Sequence, residues 1–384
     1  MPDTVLPESD LAVVAAALRA RRGRDYEQAE SMPGAFYTSP ALLQVERRAL
    51  FRREWICVGR ADELPDPGDY MTFDILEEPV LIIRGDDGEI RALSNVCRHR
   101  GMLVAAGRGN GKHLSCPYHA WTYDSRGRLV AAPHMNKRAG FDRSKVCLPA
   151  FRSEIWQGFI FVTLDAETPP LAPRLSGLEE IVRNYHFEEM TVRHVADTVW
   201  DTNWKCLVEN FMEGYHLSPL HRTTLHPVNP TKLCRHFPPG DAYFGYYAGF
   251  DPSLARTTKG HPDLSDEEAD RCVMFAVPPG LTVGGAADYS TYLCLQPETP
   301  ERVRVKQALF FHGDHWTQAQ IDRAVELFDD TMAEDKVILQ GLTRGLQASR
   351  YATGPLAGSD YEGPIWDFIQ YLERRLGPHL PPAD

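Results

Sequence analysis

The sequence predicts an α+β chain: an N-terminal antiparallel β domain, then a domain with an antiparallel sheet and a long C-terminal helix. In the first block, apolar runs alternate with Gly, Asp and Pro turns; three such runs are Val80–Arg84, Arg91–Val96 and Gly158–Leu164. The Asp87-Gly88 pair between the first two runs indicates a hairpin. The change of pattern after residue 165 predicts the second block.

The second block combines helical and strand-like stretches. Helical periodicity marks 203–215 and about 317–349. Strand-like segments lie between them, at Ala242–Tyr247, Val273–Val277, Thr291–Leu295 and Val303–Phe311. Helical stretches at about 10–22 and 42–54 precede the first strand-like run. We therefore predict three segments: residues 1–45, which pack on the second domain, the β domain at 46–165, and the second domain at 166–384.

The composition excludes several classes of function. The chain has 384 residues, 43% of them hydrophobic, and a formal net charge of -12. That charge argues against a nucleic-acid partner, because phosphate binding depends on Lys and Arg. No apolar run is long enough to cross a bilayer, and the acidic N-terminus lacks the cationic start of a secretory signal, so we expect no membrane partner. Eight scattered cysteines indicate reduced thiols and metal ligands, which predicts a cytoplasmic location.

The most specific motif is a pair of short Cys/His turns. Cys97 and His99 are followed, after a spacer of sixteen residues, by Cys116 and His119. Two thiolates and two imidazoles at this spacing suit a [2Fe–2S] centre in which two Cys hold one iron and two His hold the other. A structural zinc site of the Cys2His2 type is the alternative.

A second set of metal-ligating side chains occurs in the second block. If 203–215 is helical, one face is apolar and a polar stripe lies beside it; the stripe contains Lys205, Glu209, Glu213 and His216. His221 lies five residues beyond His216, which would turn it away on an ideal helix. Pro219 kinks or ends the helix between them, so the two imidazoles can approach each other.

Two histidines need a carboxylate to complete the facial triad of non-haem Fe(II) oxygenases. Asp335 falls within an apolar helical stripe, where a carboxylate is costly unless it is paired or metal-bound. Its neighbours Asp329, Asp330 and Glu334 lie off the stripe and are predicted to be solvated. The alternative for Asp335 is a buried ion pair with an Arg or a place in a polar network.

Together these motifs resemble the Rieske oxygenase alpha subunits. The first match includes its flanks, Arg100-Gly101 and Ala120-Trp121, which zinc does not explain; the second is the Glu-Gly-Tyr-His run that ends at His216, followed by His221. The resemblance extends from about residue 36 to residue 376. It implies a Rieske domain on a helix-grip-like catalytic domain, one [2Fe–2S] cluster, one mononuclear Fe(II), and O2 as co-substrate.

The resemblance also implies how electrons move. Family members commonly form head-to-tail trimers, in which electrons pass from one subunit's cluster to the neighbour's iron through an acidic residue. That position falls on Glu213, which would link His216 to His119 of the partner subunit. Most ring-hydroxylating members have Asp there, and Glu is similar to the branch acting on choline, glycine betaine, carnitine and stachydrine. The chain shows no flavin or NAD(P)H domain, so a separate flavin or iron–sulfur reductase, or a ferredoxin, is implied.

The substrate is less strongly indicated. A quaternary ammonium should meet aromatic faces, and the candidates are Tyr243, Tyr246 and Tyr289, within a cluster that also contains Phe244, Tyr247, Phe250 and Tyr292. The alternative is that these aromatics pack within the sheet, since alternation directs only some of them inward. Hydroxylation of an N-methyl group would lead to N-demethylation. An aromatic acid, attacked by a ring-hydroxylating mono- or dioxygenase, is the alternative; it would need an Arg, for which Arg235 and Arg256 are candidates. His226 and His236 are predicted to lie near the pocket or on the surface.

Two other functions remain open from the sequence. One is a Rieske electron carrier whose second domain binds a partner without catalysis. The other is a zinc-stabilised binding protein. Iron content separates them, since the oxygenase requires about three irons per chain and the carrier two.

Overall fold

The computed structural model describes residues 7–254 and 260–382. The chain divides into two compact units. Arg52–Pro169 forms the β unit, and the described residues up to Phe51 and from Pro170 onward form the larger unit. The domain limits expected from the sequence, at 45/46 and 165/166, stay predictions.

The β unit contains ten short strands: β1 (Ile56–Arg60), β2 (Asp69–Ile75), β3 (Glu78–Arg84), β4 (Ile90–Ser94), β5 (Arg108–Asn110), β6 (His113–Ser115), β7 (Thr122–Asp124), β8 (Leu129–Ala131), β9 (Ala150–Trp156) and β10 (Phe159–Thr163). Seven of them form one sheet in the order β1-β10-β9-β4-β3-β2-β5, and β6-β7-β8 form a second sheet. The paired strands are antiparallel, as predicted. The predicted hairpin joins β3 to β4.

The larger unit combines helices with one antiparallel sheet. Its longer helices are α1 (Pro7–Arg21), α2 (Pro40–Glu46), α3 (Ser176–Val182), α4 (Trp204–Phe211), α5 (Gln318–Leu346) and α6 (Ser359–Leu376). Its strands are β11 (Thr191–Trp200), β12 (Cys234–Phe237), β13 (Phe244–Gly249), β14 (Arg271–Val277), β15 (Leu281–Gly285), β16 (Tyr289–Thr299) and β17 (Arg302–Phe311). They form the sheet β11-β17-β16-β15-β14-β13-β12. The predicted α+β class is confirmed.

A buried ionic network fixes α4 in the larger unit. Lys205 on α4 donates to Glu46 of α2 over 2.5 Å, and the indole of Trp204 donates to the other oxygen of Glu46 over 2.9 Å. All three side chains are almost fully buried. A buried charge is tolerated when its partners satisfy it, and here the carboxylate has a donor on each oxygen. The start of α4 is therefore held firmly before the chain enters the candidate site.

The structure departs from the predicted elements in two ways. The helix expected at 203–215 ends at Phe211, and β11, β12, β15 and α6 have no counterpart among the predicted elements. The long helix is confirmed at Gln318–Leu346. Among the described residues, none of the helices has the combination of length and apolarity needed to cross a bilayer.

Candidate functional site

Two loops of the β unit repeat the same backbone pattern around the Cys/His motif. After β4, the amide of Cys97 donates to Met102 O over 2.8 Å and Gly101 donates back to Cys97 O over 3.0 Å. After β6, Cys116 donates to Trp121 O and Ala120 donates to Cys116 O at the same two distances. The residue four positions after each Cys has a positive φ, which is free of strain at Gly101 and tolerated at Ala120.

These loops separate thiols from imidazoles. Cys97 and Cys116 are buried among the apolar side chains of the unit, whereas His99 and His119 face outward with their Nδ1 atoms 3.2 Å apart. The ring of His99 stacks on Trp121, with centroids 4.9 Å apart. The arrangement suits a cluster with an inner iron held by thiolates and an outer iron held by imidazoles.

The protonation tendencies of these groups agree with that donor set. Burial raises the pKa of the Cys116 thiol, so a metal is needed to hold it as a buried thiolate. Burial lowers the pKa of His119, and the nearby His99 and Arg100 lower it further, which favours the neutral imidazole that ligates metal. Tyr123 places its hydroxyl 3.3 Å from Cys97 Sγ and accepts a hydrogen bond from the Arg98 amide.

In the larger unit, His216, His221 and Asp335 come together. One ligand atom of each lies within 4.8 Å of the others. Asp335 Oδ1 is 3.2 Å from His221 Nε2 and 3.7 Å from His216 Nε2. Asn210 donates to the same oxygen over 3.2 Å. The alternative of an Asp335–Arg ion pair has no support among the described residues, where the partners of Asp335 are these two imidazoles and Asn210.

The donor set fits a metal ion. His221 is fully buried, and its Nε2 has no hydrogen-bond partner although it lies close to Asp335. An unsatisfied buried polar atom is costly, and a cation shared with the carboxylate would satisfy it. Two imidazoles and one carboxylate form the set typical of non-haem Fe(II) sites with open coordination positions.

Each of the two imidazoles has a glutamate next to Nδ1, the ring nitrogen that does not face Asp335. Glu213 lies against Nδ1 of His216, and its second oxygen accepts from the amides of Tyr215 and His216. Glu334 lies 2.7 Å from His221 Nδ1 and accepts a hydrogen bond from Thr224 over 2.7 Å. A carboxylate at Nδ1 fixes the tautomer and directs Nε2 toward the metal. The prediction that Glu334 is solvated is therefore wrong.

The charge of Glu213 acts on His216 directly. Burial lowers the pKa of this imidazole, but the charge of Glu213 and its hydrogen bond outweigh burial, and the net pKa lies above the ordinary value. In the absence of metal, Glu213 thus favours a proton on the ring. A bound cation would displace that proton from Nε2 while Glu213 keeps the one on Nδ1.

A cavity of about 800 Å³ lies within the larger unit, and neighbours of the three ligands line it rather than the ligands themselves. Leu217, next to His216, lines it, and so does Met332, one helical turn before Asp335. The wall is mainly apolar and contains five aromatic side chains: Phe211, Tyr246, Phe250, Tyr289 and Phe328. Three carboxylates, Asp251, Asp270 and Asp288, also line it. None of the described Lys or Arg residues does.

The position of each aromatic candidate on or beside its strand decides whether it lines the cavity. Tyr246 and Tyr289 line the cavity, and the hydroxyl of Tyr246 donates to Glu213 O over 3.1 Å. Tyr243 does not line it; this residue precedes β13 and packs beside Gly240 and Gly177. Alternation on β13 directs Tyr246 to the cavity and the next residue, Tyr247, to the opposite face, where it stacks under Arg271.

The remaining candidates lie away from the wall. Phe244 stacks on Phe368, and Tyr292 is buried beside Phe310. Arg235 is exposed and lies 4.0 Å from Asp360, while Arg256 is outside the described residues. His226 lies 2.8 Å from Ser218, and His236 lies 2.6 Å from Asp367. None of these described side chains lines the cavity.

Comparisons with known proteins agree with the fold and the two sites. Residues 54–152 match the family described as the Rieske [2Fe-2S] domain, and residues 187–377 match the ring hydroxylating alpha subunit, catalytic domain. The carnitine monooxygenase oxygenase subunit of Acinetobacter baumannii is 31% identical over 335 residues, covering 84% of this chain and 86% of that protein. The glycine betaine monooxygenase oxygenase subunit of Pseudomonas aeruginosa is 36% identical over 202 residues, 52% of this chain and 46% of that protein.

Solved structures show the same architecture. A quaternary ammonium Rieske monooxygenase superposes with a TM-score of 0.80 at 25% identity, covering 92% of this chain and 97% of the other. Naphthalene 1,2-dioxygenase from Rhodococcus gives a TM-score of 0.80 at 22% identity, covering 96% and 99%, which shows the fold alone.

The fold and the two donor sets define an iron-dependent oxygenase in which a cluster and a mononuclear iron occur in one chain. The chain belongs to the family of Rieske-type non-haem iron oxygenases, as an alpha subunit. Its cofactors are one Rieske [2Fe–2S] cluster and one mononuclear iron. The zinc-protein and electron-carrier alternatives are wrong for this family.

Proposed function

We propose that this chain is the terminal oxygenase of a multicomponent system that oxidises a small quaternary ammonium compound. The observation that carries the proposal is the His216/His221/Asp335 set, whose neighbours Leu217 and Met332 line an apolar, aromatic cavity. We assign the cluster to Cys97, His99, Cys116 and His119, and the iron to the three residues of that set. When bound there with electrons supplied, iron activates O2 for attack on a C–H bond.

The protein residues bind, orient and exclude water. Phe211, Phe250 and Tyr289 offer apolar and aromatic surface to a methylated ammonium group, which cation–π attraction and burial favour over water. Glu213 and Glu334 each hold the proton on Nδ1 of a ligand imidazole, so that Nε2 remains available. Asn210 holds Asp335 by its amide and limits the rotation of the carboxylate.

The relatives support an ammonium substrate. They are named for carnitine and glycine betaine, and a more distant one, 23% identical over 335 residues, is the chloroplastic choline monooxygenase of Spinacia oleracea. Carnitine, glycine betaine and choline each contain a trimethylammonium group. Monooxygenation of one N-methyl group, with two electrons and two protons reducing the second oxygen atom to water, gives an N-hydroxymethyl product that releases formaldehyde. The reaction is then N-demethylation.

Electrons come from a separate reductase, and the acceptor iron belongs to the neighbouring subunit of a homotrimer. This part of the proposal rests on the family resemblance and on Glu213, whose carboxylate lies against His216 at the edge of the iron site. Glu213 would connect His216 to His119 of the partner subunit. The cytoplasmic location predicted from the eight cysteines completes the proposal.

The assignment of the iron site is tested with His216→Ala. We expect the cluster absorption to persist, iron to fall from about three to about two per chain, and O2-dependent turnover to vanish. Retained turnover would remove the assignment.

The substrate class is tested with a panel of choline, glycine betaine, carnitine and benzoate, supplied with a reductase and NADH. Formaldehyde release and reductant consumption are measured together. We expect the ammonium compounds to support both. Reductant consumption with benzoate alone would favour the aromatic-acid alternative, which an apolar wall also accommodates.

A further inference from the structure

A second group of metal-ligating side chains lies outside the iron site. His186 sits between two short 3-10 turns, Arg183–Tyr185 and Phe187–Glu189, just before β11. Its backbone is left-handed, with φ of 47°. A non-Gly residue in this conformation is uncommon and carries a local cost. His261 and Asp263 approach it from a different part of the chain.

These side chains converge on one carboxylate oxygen. His186 Nε2 lies 2.9 Å from Asp263 Oδ2, and His261 Nδ1, which accepts a hydrogen bond from the Asp263 amide over 3.2 Å, lies 3.7 Å from the same oxygen. The two rings pack with their centroids 3.8 Å apart. One ligand atom from each of the three residues lies within 4.8 Å of the others.

The surroundings are strongly anionic. Glu188 lies 3.2 Å from His186 Nδ1, and Glu189 lies 3.6 Å from His261 Nε2. Among the described residues, the ion pairs of Glu188, Glu189 and Asp263 are all with these two imidazoles. Three carboxylates therefore face two rings, an imbalance that a divalent cation would neutralise.

We propose that His186, His261 and Asp263 form a third metal site, for a divalent transition-metal ion such as Zn²⁺. Imidazole nitrogens with one carboxylate oxygen suit zinc and its neighbours, and water completes the coordination because the group is only partly buried. Glu188 takes the place next to His186 Nδ1 that Glu334 takes at His221, and orients the ring for metal. The alternative is that the His186 and His261 rings stack on each other without binding a metal. The three carboxylates that face the two rings argue against this alternative.

The position gives this site a role beside the cavity. The ring of His261 packs on His312, with centroids 5.6 Å apart, and the amide of His312 donates to Asp288 O over 2.9 Å. Asp288 lines the cavity. A metal at this site would join the turn at 186–189 to residues 261–263 and steady this part of the cavity wall.

The test uses the iron-loaded holoenzyme, dialysed against micromolar Zn²⁺ and passed through a desalting column. Zinc and iron per chain are measured by mass spectrometry, with the cluster absorption as a check on folding. The variants are His186→Asn, since Asn tolerates the left-handed backbone, and Asp263→Asn. The matched control is His315→Asn, an exposed histidine of the same region that is outside the proposed set.

We expect wild type and His315→Asn to retain about one zinc per chain while iron stays constant. Either variant within the set should weaken zinc binding roughly tenfold or more, with unchanged iron and cluster absorption. Three results would overturn the proposal: no zinc retained by wild type, equal zinc in the variants, or zinc gained only as iron is lost. These outcomes are independent of the proposed oxygenase function, because neither turnover nor the iron ligands enter the measurement.

Discussion

At the scale of single residues, the imidazole of His221 is the most constrained group of the iron site. It is fully buried, and two consecutive residues of α5 face its two nitrogens, Glu334 at Nδ1 and Asp335 at Nε2. A residue whose ring nitrogens are both fixed cannot rotate to another ligand geometry. The position of the metal therefore depends on Glu334 as well as on the ligands.

Replacing Glu334 by Gln should weaken iron binding. The amide oxygen can still accept from His221 Nδ1 but lacks the charge that makes the ring a stronger donor, so we expect a loss of about 10- to 100-fold in iron affinity. Competition with a chelator, followed by iron analysis, measures it, and the cluster absorption should not change. Asp330→Asn, an exposed acid one turn earlier on α5, is the control. Equal iron affinity in E334Q and wild type would contradict this role for Glu334.

Glu209 should be protonated near neutral pH. Burial raises its pKa to about 8, against the opposing effects of Tyr37, which donates to both carboxylate oxygens, and of Lys205. Because the folded state holds this proton to higher pH than the unfolded state, the stability it contributes is lost as pH rises from about 4.5 to about 8.

Comparing wild type with Glu209→Gln isolates that effect. As pH rises through this window, the free energy of unfolding of wild type should fall relative to that of the Gln variant, by up to about 1.4 kcal/mol per pH unit. The thermal midpoint of wild type should fall with it. Difference infrared spectra should show a protonated carboxyl band in wild type that disappears near pH 8. Glu326→Gln on the surface of α5 is the control. A band absent already at pH 6 would refute the raised pKa.

At the scale of elements, the segment after α4 decides whether the site forms. The helix ends at Phe211, so Glu213 and His216 lie in a turn rather than on the predicted polar stripe. Gly214 allows that turn: its amide donates to Tyr361 O over 2.9 Å, and a Cβ there would lie 3.0 Å from the Cβ of Cys234. Close approach of the backbone to β12 and α6 thus outweighs continuation of the helix.

A matched pair of glycine substitutions tests this constraint. Gly214→Ala should cost about 1–3 kcal/mol and lower the iron content, because Cys234 or the turn must shift. Gly341→Ala on α5 meets open space and should raise stability by about 0.5–1 kcal/mol with full iron content. Thermal midpoints and iron analysis of both variants check the pair. Full iron content and an unchanged midpoint in G214A would mean that the turn adapts freely.

The sequence could predict the parts of the site that depend on local pattern. Cys97, His99, Cys116 and His119 follow from spacing and flanks, and Asp335 follows from a carboxylate placed on an apolar stripe. Glu334 could not be predicted, because its partner His221 comes from a loop 113 residues away in the chain. The apolar periodicity of α5 predicts which of its residues face the core. It does not predict that the loop containing His221 packs beside Glu334.

Two of the missed elements, β12 and β15, also depend on contacts that are distant in the sequence. β12 and β15 are short, and their sequences contain few residues that mark a strand, so their pairing with β13, β14 and β16 decides their conformation. The sequence does contain a signal for the end of α4, because Gly214 directly follows the apolar periodicity and glycine commonly ends a helix. The polar stripe, which continued through Glu213 and His216, concealed it.

At the scale of the whole molecule, the proposal of electron transfer between subunits can be tested by complementation. His119→Ala should lack a working cluster, and His216→Ala should lack iron. Each homo-oligomer is expected to be inactive. Mixed oligomers, co-expressed with two different tags and purified through both, should regain turnover if electrons cross from one subunit to the next. Mixed oligomers without turnover would mean that both metals must be intact in the same chain.

The division of the chain has a consequence for its synthesis. Arg52–Pro169 is one continuous stretch, so the β unit can close on the ribosome soon after it emerges. The larger unit cannot, because Arg21 O accepts from Gln370 and Glu373 binds Arg22, which joins the first helix to the last. The N-terminal helices of the nascent chain therefore cannot pack on their partners until translation is almost finished. During that time their apolar surface is exposed, and a chaperone can bind it.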